Sequence, residues 1–353
     1  MKTNISLEQA LAKASPQLCK KIQASVDLLC KSEQLALKYD AENGFWCAFS
    51  CGKDSQALYH VAELSGVKFK AHFSPTTADP AQVIRFCKTH YPEVEIIKPT
   101  KSIYKAAIEQ NCLPTANLRW CCAVFKEEHG AGTVTLTGVR HSESVKRSKR
   151  KEVEVSGHKF SGNLEEFDAY SEKRIKKLLK NVNQDQFSEA KNQEIRCVKG
   201  KDKIIINPII DWTESDVWEF LNNVMEVPHC ELYDPPYNRK RIGCIMCPMS
   251  SRKMLLQDVN DYPHIKHKWL KTIELIRGGR CRLEGVWNIV TPKGIGGNTP
   301  FCASPEKGLT EEQRDEWVCE QIFDWWISKK PYIKWFTERF LQQKIDFGED
   351  DNP

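Results

Sequence analysis

The sequence has no long hydrophobic run. No segment approaches the roughly 18 consecutive apolar residues that a membrane-spanning helix needs, and the first residues, Met1 to Asn4, lack the apolar stretch of a signal peptide. The 353 residues also contain no internal repeat and no low-complexity tract. These absences argue against a membrane protein and a repeat protein, and they predict an ordinary globular protein of the cytoplasm.

The net charge is also small, and it is unevenly distributed. The whole chain carries a formal charge of +5, and residues 145–180 alone hold eleven Lys or Arg against six Asp or Glu, which is the same excess of five. This concentration predicts a cationic patch that faces a polyanion. A solvated helical face without a partner explains the composition equally well.

Cysteine, in contrast, is abundant. Fifteen cysteines in a chain without a secretion signal do not indicate a disulfide framework, because a reducing cytosol would not maintain one. Cys19, Cys30, Cys87 and Cys319 lie in amphipathic, helix-like stretches, where cysteine acts as a small buried hydrophobe. Metal or redox chemistry is the more useful hypothesis for the others.

Alternating strand and helix patterns predict the fold. Residues 1–43 form a helical cap, and the apolar run Phe45–Phe49 then leads through a loop into a helix. Further strands are predicted at about 67–73, 94–97, 133–137 and 204–206. A helix enters through Asp79 and Pro80, and Thr213 caps another. This order predicts an α/β protein with a doubly wound, mostly parallel sheet, whose ligands bind beyond the carboxyl ends of the strands.

Three regions are expected along the chain. The cap at 1–43 precedes a nucleotide-binding domain at 44–260, and a helical C-terminal region follows at 261–353. Residues 151–205 are polar, rich in lysine and poor in strand signals, which indicates a basic insertion within the central domain. Beyond Cys247 we expect helices at about 262–277 and 310–341, with a loop at 291–308.

A phosphate-binding loop is predicted directly after the first strand. Such a loop needs a glycine where the backbone approaches the ligand, free N–H groups at a helix start, and a cation. The segment that supplies them is Ser50-Cys51-Gly52-Lys53-Asp54-Ser55. We expect Ser50 and Ser55 to donate to phosphate oxygens, Lys53 to neutralise them, and Asp54 to help hold Mg²⁺. The spacing is not that of a Walker A loop.

Five further motifs follow this loop along the chain. They are Thr76-Thr77-Ala78-Asp79-Pro80, Arg119-Trp120-Cys121-Cys122 ahead of Lys126-Glu127, Thr137 to Ser144 with Arg147, Pro208 to Trp218, and Arg241-Ile242-Gly243-Cys244-Ile245-Met246-Cys247-Pro248. Together and in this order, the six motifs resemble the PP-loop ATP pyrophosphatases, more narrowly their phosphoadenosine phosphosulfate reductase-like branch. The resemblance implies an adenine nucleotide alpha-hydrolase-like fold that binds ATP and Mg²⁺.

The same resemblance assigns roles to particular residues. Gly138 is expected near the adenosine, and Arg140 and Arg147 are expected to face phosphate, although surface arginines are the alternative. Lys53 and Asp54 are the expected catalytic residues. The residues expected to bind the nucleotide are Ser50, Gly52, Lys53, Asp54, Ser55, Gly138, Arg140 and Arg147.

Two features separate the branches of this family. True phosphoadenosine phosphosulfate reductases usually lack the lysine of the loop, because they do not cleave ATP, and they carry a C-terminal ECG[IL]H segment. This sequence has Lys53 and Asp54, and its last residues, Phe347 to Pro353, show no such segment. We therefore expect cleavage of ATP to AMP and pyrophosphate, with sulfonucleotide reduction as an alternative.

Four cysteines form the candidate metal centre. Cys244 and Cys247 have the CxxC spacing that lets two thiolates share one metal, and Cys121 and Cys122 offer one or two more ligands. The CC plus CxxC arrangement resembles that of family members with a [4Fe–4S] cluster. A Zn²⁺ site and a set of metal-free buried thiols remain alternatives. Cys197 and Cys230 are reserve ligands.

The motifs also indicate an acceptor. The TTxDP, RWCC and RIGCxxCP elements are most similar to DNA phosphorothioation proteins of the DndC and SspD kind. The resemblance implies DNA as a partner, a cysteine desulfurase as sulfur donor and other phosphorothioation components. Residues 145–180, and the lysines that flank Trp325 and Trp326, would then meet the DNA backbone unless those tryptophans are core residues. The alternatives are a tRNA thiolation enzyme and a nucleotide-binding scaffold with a structural metal.

Overall fold

The computed structural model describes residues 3–156, 160–179, 203–277, 310–331, 334–335 and 337–341. The chain forms two compact units. The first comprises residues 1–75, 80–98 and 125–243, and the second comprises residues 76–79, 99–124 and 244–353. None of the helices in the described ranges combines the length and the hydropathy needed to cross a bilayer.

The helices and strands follow the alternation expected from the sequence. In chain order the helices are α1 (Leu7–Lys13), α2 (Pro16–Tyr39), α3 (Lys53–Ser65), α4 (Ala81–His90), α5 (Ile103–Gln110), α6 (Trp120–Cys122), α7 (Leu164–Leu179), α8 (Glu214–Glu219), α9 (Arg252–Asp261), α10 (Pro263–Arg277) and α11 (Glu311–Ser328). The strands are β1 (Phe45–Phe49), β2 (Phe69–Phe73), β3 (Glu95–Ile96), β4 (Val134–Leu136), β5 (Val153–Val155), β6 (Phe160–Gly162) and β7 (Ile204–Ile206).

The first unit is built on one seven-stranded sheet with the order β3-β2-β1-β4-β7-β5-β6. The first five strands in this spatial order, β3, β2, β1, β4 and β7, are parallel to one another. Strand β5 pairs antiparallel with both β7 and β6. Helices cover both sides of the sheet. The predicted doubly wound α/β architecture is therefore confirmed.

The core explains why these segments form the sheet. Along β1 every second residue is fully buried, namely Phe45, Cys47 and Phe49, and all three residues of β4 are buried. Helix α3 packs on β1 and on α2. Parallel strands that are covered on both faces carry such apolar runs, because neither face meets water.

The capped helix after β7 also agrees with the sequence pattern. Thr213 is the N-cap of α8, and Asp216 completes a capping box with it. Val217, Phe220 and Leu221 are fully buried. Two orphan N–H groups at the helix start are thereby satisfied, and the apolar side of the helix faces the core.

Two expectations about secondary structure need correction. The segment 151–205 is not poor in strands, because β5 and β6 extend the sheet at its edge. Each of these strands has only three residues, which is too short to give a recognisable alternation. The helix expected to reach about residue 341 ends at Ser328, where Lys329 adopts a left-handed conformation with φ 60°, and a separate π-helical turn spans Thr337–Leu341. The predicted loop at 291–308 lies outside the described residues.

The second unit is helical in the described residues. Helix α10 packs on α5 and on α11. Trp325 and Trp326 are 6% and 8% exposed, and their indole N–H groups donate to the carbonyl oxygens of Lys330 and Pro114. Both rings are therefore core residues of this unit, which is the alternative that the sequence left open.

Candidate nucleotide-binding site

The first unit has a topological switch point between β1 and β4. The chain runs outward from β1 through β2 to β3, and β4 then lies on the other side of β1. In open α/β sheets the loops beyond the carboxyl ends of two such strands separate and leave a crevice for a ligand. Here these loops are residues 50–52 and 137–140. The predicted phosphate loop and Gly138 therefore lie at the position where this fold binds ligands.

The phosphate loop lies at the N-terminus of α3. Gly52 is the N-cap residue and offers no side chain to the first-turn N–H groups. Ser55 Oγ donates to the Gly52 carbonyl oxygen over 2.8 Å, and it accepts from the backbone N–H of Ser50 over 3.1 Å. The serine hydroxyls are 3.2 Å apart. An uncapped helix start with two adjacent hydroxyls is suited to binding an anion.

The strained residue of the loop is Cys51, not the glycine. Cys51 has φ 58° and is fully buried, whereas Gly52 is extended with φ −83°. A Cβ on Gly52 would lie 3.5 Å from Tyr233 Oη, an ordinary contact. Non-glycine residues seldom adopt positive φ, and such strain tends to occur at functional turns. The sequence predicts a glycine for close approach of the backbone to a ligand, and it gives no signal that Cys51 takes the left-handed conformation.

Lys53 is buried, and its ammonium group is surrounded by polar atoms. The residue is 4% exposed. Its Nζ donates to the Lys240 carbonyl oxygen over 3.0 Å and lies 3.5 Å from Glu214 Oε1 and 3.9 Å from Asp54 Oδ2. It also lies 5.6 Å from the centre of the Tyr233 ring. A buried ammonium group that is held in this way is fixed in position before a ligand arrives.

Gly138 lies against the first turn of α3. A Cβ on this residue would come within 2.7 Å of the Asp54 carbonyl oxygen and within 3.3 Å of the Ser55 nitrogen. Only glycine therefore allows the loop after β4 to approach the start of α3 so closely. The resemblance placed Gly138 near the adenosine, and the structure places it against the phosphate loop.

Arg140 is a buried residue, 3% exposed, and it interacts with Asp54. Its Nε donates to Asp54 Oδ1 over 2.8 Å, and its Nη1 donates to Ser142 Oγ over 2.8 Å. Arg140 thus holds one carboxylate oxygen of Asp54 in place. Mg²⁺ is usually bound through one or two carboxylates together with phosphate oxygens. The Asp54 carboxylate is therefore suited to provide one ligand of such a site.

Basic residues at 146–150 form ion pairs of their own, apart from the contact between Arg140 and Asp54. Arg147 forms an ion pair with Glu143, and Arg150 forms one with Glu154. Lys146 and Lys149 are exposed. The positive charge at 146–150 is therefore partly neutralised by neighbouring carboxylates.

Sequence reasoning missed Tyr233, Glu214 and Lys240. Tyr233 Oη accepts a hydrogen bond of 2.9 Å from the backbone N–H of Lys53, and it thereby satisfies one of the orphan donors of α3. These residues come from the start of α8 and from the segment 229–243, far along the chain from the phosphate loop. Glu214 belongs to the motif at 208–218, whereas Tyr233 and Lys240 lie outside the six motifs, and none of the three gave a signal that it meets Lys53.

The four predicted thiols all belong to the second unit. The pKa of Cys121 is raised, first by its hydrogen bond to the Cys122 thiol, then by burial, and then by the charges of Cys244 and Cys247. The four thiols are therefore close enough to interact. Like-charged thiolates repel one another unless a cation neutralises them, so this grouping is compatible with a bound metal.

The arrangement of these thiols does not by itself define a metal centre. In the part of the chain that the structure describes, no three His, Cys, Asp or Glu side chains are arranged to hold a metal ion. Cys244 Sγ instead accepts a 3.2 Å hydrogen bond from Thr76 Oγ1 and lies 3.8 Å from Asp79 Oδ1. Cys230 is fully buried, and burial raises its pKa; Cys197 lies outside the described residues. The ligand set stays a prediction.

Comparison with known proteins identifies relatives of this chain. Residues 44–250 match the family model described as the phosphoadenosine phosphosulfate reductase domain. An uncharacterized protein of Methanocaldococcus jannaschii is 24% identical over 258 residues, which are 70% of this chain and 49% of that protein. The chain thus spans about half the length of this relative.

Two solved structures show a weaker likeness. The FMN adenylyltransferase of Candida glabrata, in complex with FAD and inorganic pyrophosphate, is 14% identical; the match covers 68% of this chain and 69% of that one, with a TM-score of 0.40. The phosphoadenylyl-sulfate reductase of Candida auris, in a phosphate complex, is 17% identical; the match covers 66% and 97%, with a TM-score of 0.37.

Proposed function

This chain belongs to the phosphoadenosine phosphosulfate reductase domain family, and we propose that it is an ATP pyrophosphatase that activates a nucleic-acid group for sulfur insertion. The observation that carries the proposal is the buried ammonium group of Lys53 at the start of α3, where the N-cap residue Gly52 offers no side chain. A buried lysine at a helix N-terminus binds a polyphosphate, because both supply positive potential in a site with little water.

The surrounding residues support cleavage between the α- and β-phosphates. The helix start and the Ser50 and Ser55 hydroxyls bind phosphate oxygens, and Lys53 stabilises the charge that develops on the departing pyrophosphate. Asp54, oriented by Arg140, shares in binding Mg²⁺. An acceptor oxygen attacks the α-phosphorus, pyrophosphate leaves, and the acceptor carries AMP.

We further propose that the acceptor is the DNA backbone. Adenylation converts a non-bridging phosphate oxygen into part of a good leaving group, so that a sulfur nucleophile can displace AMP, which departs with that oxygen. A cysteine desulfurase and other phosphorothioation components are the proposed partners. The exposed Lys146 and Lys149 support a contact with a polyanion, and the TTxDP and RIGCxxCP motifs support DNA rather than tRNA.

We also propose that Cys121, Cys122, Cys244 and Cys247 hold a [4Fe–4S] cluster, with zinc as the alternative metal. The effect of Cys122, Cys244 and Cys247 on the pKa of Cys121 supports the grouping. A bound cluster supplies redox or sulfur-carrying chemistry. Protein purified without oxygen should be brown and contain iron and sulfide. A colourless protein with stoichiometric zinc would contradict the cluster.

The central test measures the products formed from ATP. Anaerobic protein is incubated with ATP and Mg²⁺, with and without DNA or tRNA, and AMP and pyrophosphate are quantified. Lys53→Ala should reduce pyrophosphate release by at least about a hundredfold, in line with the loss of one preorganised charge at the reacting centre. Lys88→Ala, a change at an exposed position of α4, is the matched control and should release pyrophosphate at the wild-type rate.

The same assay separates the alternative functions. Stimulation by tRNA but not by DNA would indicate a tRNA thiolation enzyme. Formation of adenosine 3′,5′-bisphosphate from a sulfonucleotide would indicate a reductase. Tight binding of ATP without release of AMP or pyrophosphate, whichever polymer is added, would indicate a nucleotide-binding scaffold and would refute the proposed function.

A further inference from the structure

A cavity of about 390 Å³ opens beside Lys53 in the first unit. It lies at the lower end of the range of small-molecule sites, about 300–1,000 Å³. Glu214, Tyr233 and Lys240 line this cavity, and each of them also contacts Lys53, as described above. The residues that surround the Lys53 ammonium group therefore also form part of the cavity wall, which places the cavity next to the phosphate loop.

Three aromatic rings give the cavity wall its shape. The Trp218 ring centre is 5.2 Å from that of His229 and 5.0 Å from that of Tyr233, with interplanar angles of 77° and 89°. In an edge-to-face contact the edge of one ring lies against the face of the other, so these two contacts fix the orientation of Trp218. Trp218 is half-buried and lines the cavity, so part of its indole surface is open to a ligand there.

The polar residues that line the cavity are of two kinds, amide side chains and charged side chains. Asn222 and Asn238 carry amide groups, which can both donate to and accept from the edge of a nucleobase. Arg239 and Lys240 add positive charge to the lining, and Glu214, 3.5 Å from Lys53 Nζ, is the opposing carboxylate. Aromatic faces, amides and cations together match a planar base attached to a phosphate.

We propose that this cavity binds one unstacked nucleotide of the acceptor strand, with its base on Trp218 and its backbone phosphate directed toward Lys53. The inference rests on the proposed function, since it places the acceptor beside the ATP that is cleaved. It adds a requirement for a base that has left the helical stack, because a paired base would not expose its face to Trp218.

The test measures binding without turnover. A fluorescein-labelled single-stranded pentadeoxynucleotide is titrated with wild-type protein and with Trp218→Ala, Trp218→Phe and Asn222→Ala variants, and anisotropy reports the dissociation constant. Trp218→Ala should weaken binding at least about tenfold, the effect of losing one stacked base, and Trp218→Phe should restore most of the affinity. Asn223→Ala is the matched control, because Asn223 is exposed in the same turn but does not line the cavity.

Each outcome decides the proposal. Oligonucleotide affinity that is unchanged in both Trp218→Ala and Asn222→Ala would overturn it. A loss of ATP affinity in Trp218→Ala as large as the loss of oligonucleotide affinity would assign the cavity to ATP itself and would also overturn it. Preference for a ribonucleotide of the same sequence would replace DNA by RNA as the acceptor.

Failure of the inference is distinguishable from failure of the proposed function. If DNA stimulates pyrophosphate release equally in wild-type protein and Trp218→Ala, the function stands and the cavity is not the acceptor site. If the protein never releases pyrophosphate but its oligonucleotide affinity depends on Trp218, the cavity binds a nucleotide and the proposed ATP cleavage is wrong. Circular dichroism of each variant confirms that the fold is retained.

Discussion

Replacement of Gly138 by alanine is the most direct structural perturbation of the site. The new Cβ would lie 2.7 Å from the carbonyl oxygen and 3.0 Å from the carbonyl carbon of Asp54, and 3.3 Å from the Ser55 nitrogen. These are backbone atoms of the first turn of α3, so they cannot move away as the end of a flexible side chain can. Either the turn or the loop after β4 must shift.

The size of the effect follows from this clash. Overpacking in a well-packed region typically costs about 1–3 kcal/mol, and a shift of about 1 Å in a positioning group can reduce the rate about a hundredfold. We therefore expect Gly138→Ala to lower the free energy of unfolding by about 1–3 kcal/mol. We expect ATP affinity to fall at least about tenfold, because the displaced N–H groups are those that bind phosphate.

Urea unfolding and titration with a fluorescent ATP analogue measure the two quantities. The matched control is Gly243→Ala, because a Cβ on Gly243 would have no atom within 4 Å, and its unfolding midpoint should be unchanged. If Gly138→Ala bound ATP with wild-type affinity and unfolded at the wild-type midpoint, the close approach would not be needed, and the assignment of this loop to phosphate would be refuted.

Three further predictions concern stability. Tyr233→Phe removes the acceptor of the Lys53 N–H bond, so the free energy of unfolding should fall by about 1 kcal/mol in urea titrations, and an unchanged midpoint would contradict this. Ile204→Ala, at a fully buried position of the interior strand β7, should cost about 2–5 kcal/mol, whereas Val145→Ala, at a site 79% exposed, should change stability by less than about 0.5 kcal/mol. The pKa of His60 is lowered by burial, more than Glu63 raises it. The unfolded chain therefore binds the proton first as pH falls below about 6.5. Stability should decrease from pH 7 to pH 5 in wild-type protein, and less steeply in His60→Gln.

The sheet was largely predictable from the sequence, because its central strands are apolar runs between turn signals. Phe45–Phe49 is one such run, and Ile204–Ile206 is another. Strands β5 and β6 were not predicted, since Val-Glu-Val and Phe-Ser-Gly form no apolar run, and both strands depend on pairing with β7 and with each other for their stability. Short edge strands are determined by tertiary contacts, which a single sequence does not display.

The strand, turn and helix around Gly52 and Lys53 were predictable, but the detailed conformation of the turn was not. The local order of strand, glycine and lysine indicated a turn that binds an anion. The left-handed residue is Cys51, because the path of the turn, and not the residue type, determines which position takes positive φ. The contacts of Lys53 with Tyr233 and Lys240 join segments about 180 residues apart, and no local pattern predicts such pairs.

The measurement that most directly tests the account is the identification of the products that anaerobic protein forms from ATP and Mg²⁺ in the presence of DNA. The account predicts AMP and pyrophosphate in equal amounts, released faster with DNA than without it, and lost in Lys53→Ala. Release of ADP and phosphate, or intact ATP after prolonged incubation with every polymer, would contradict it.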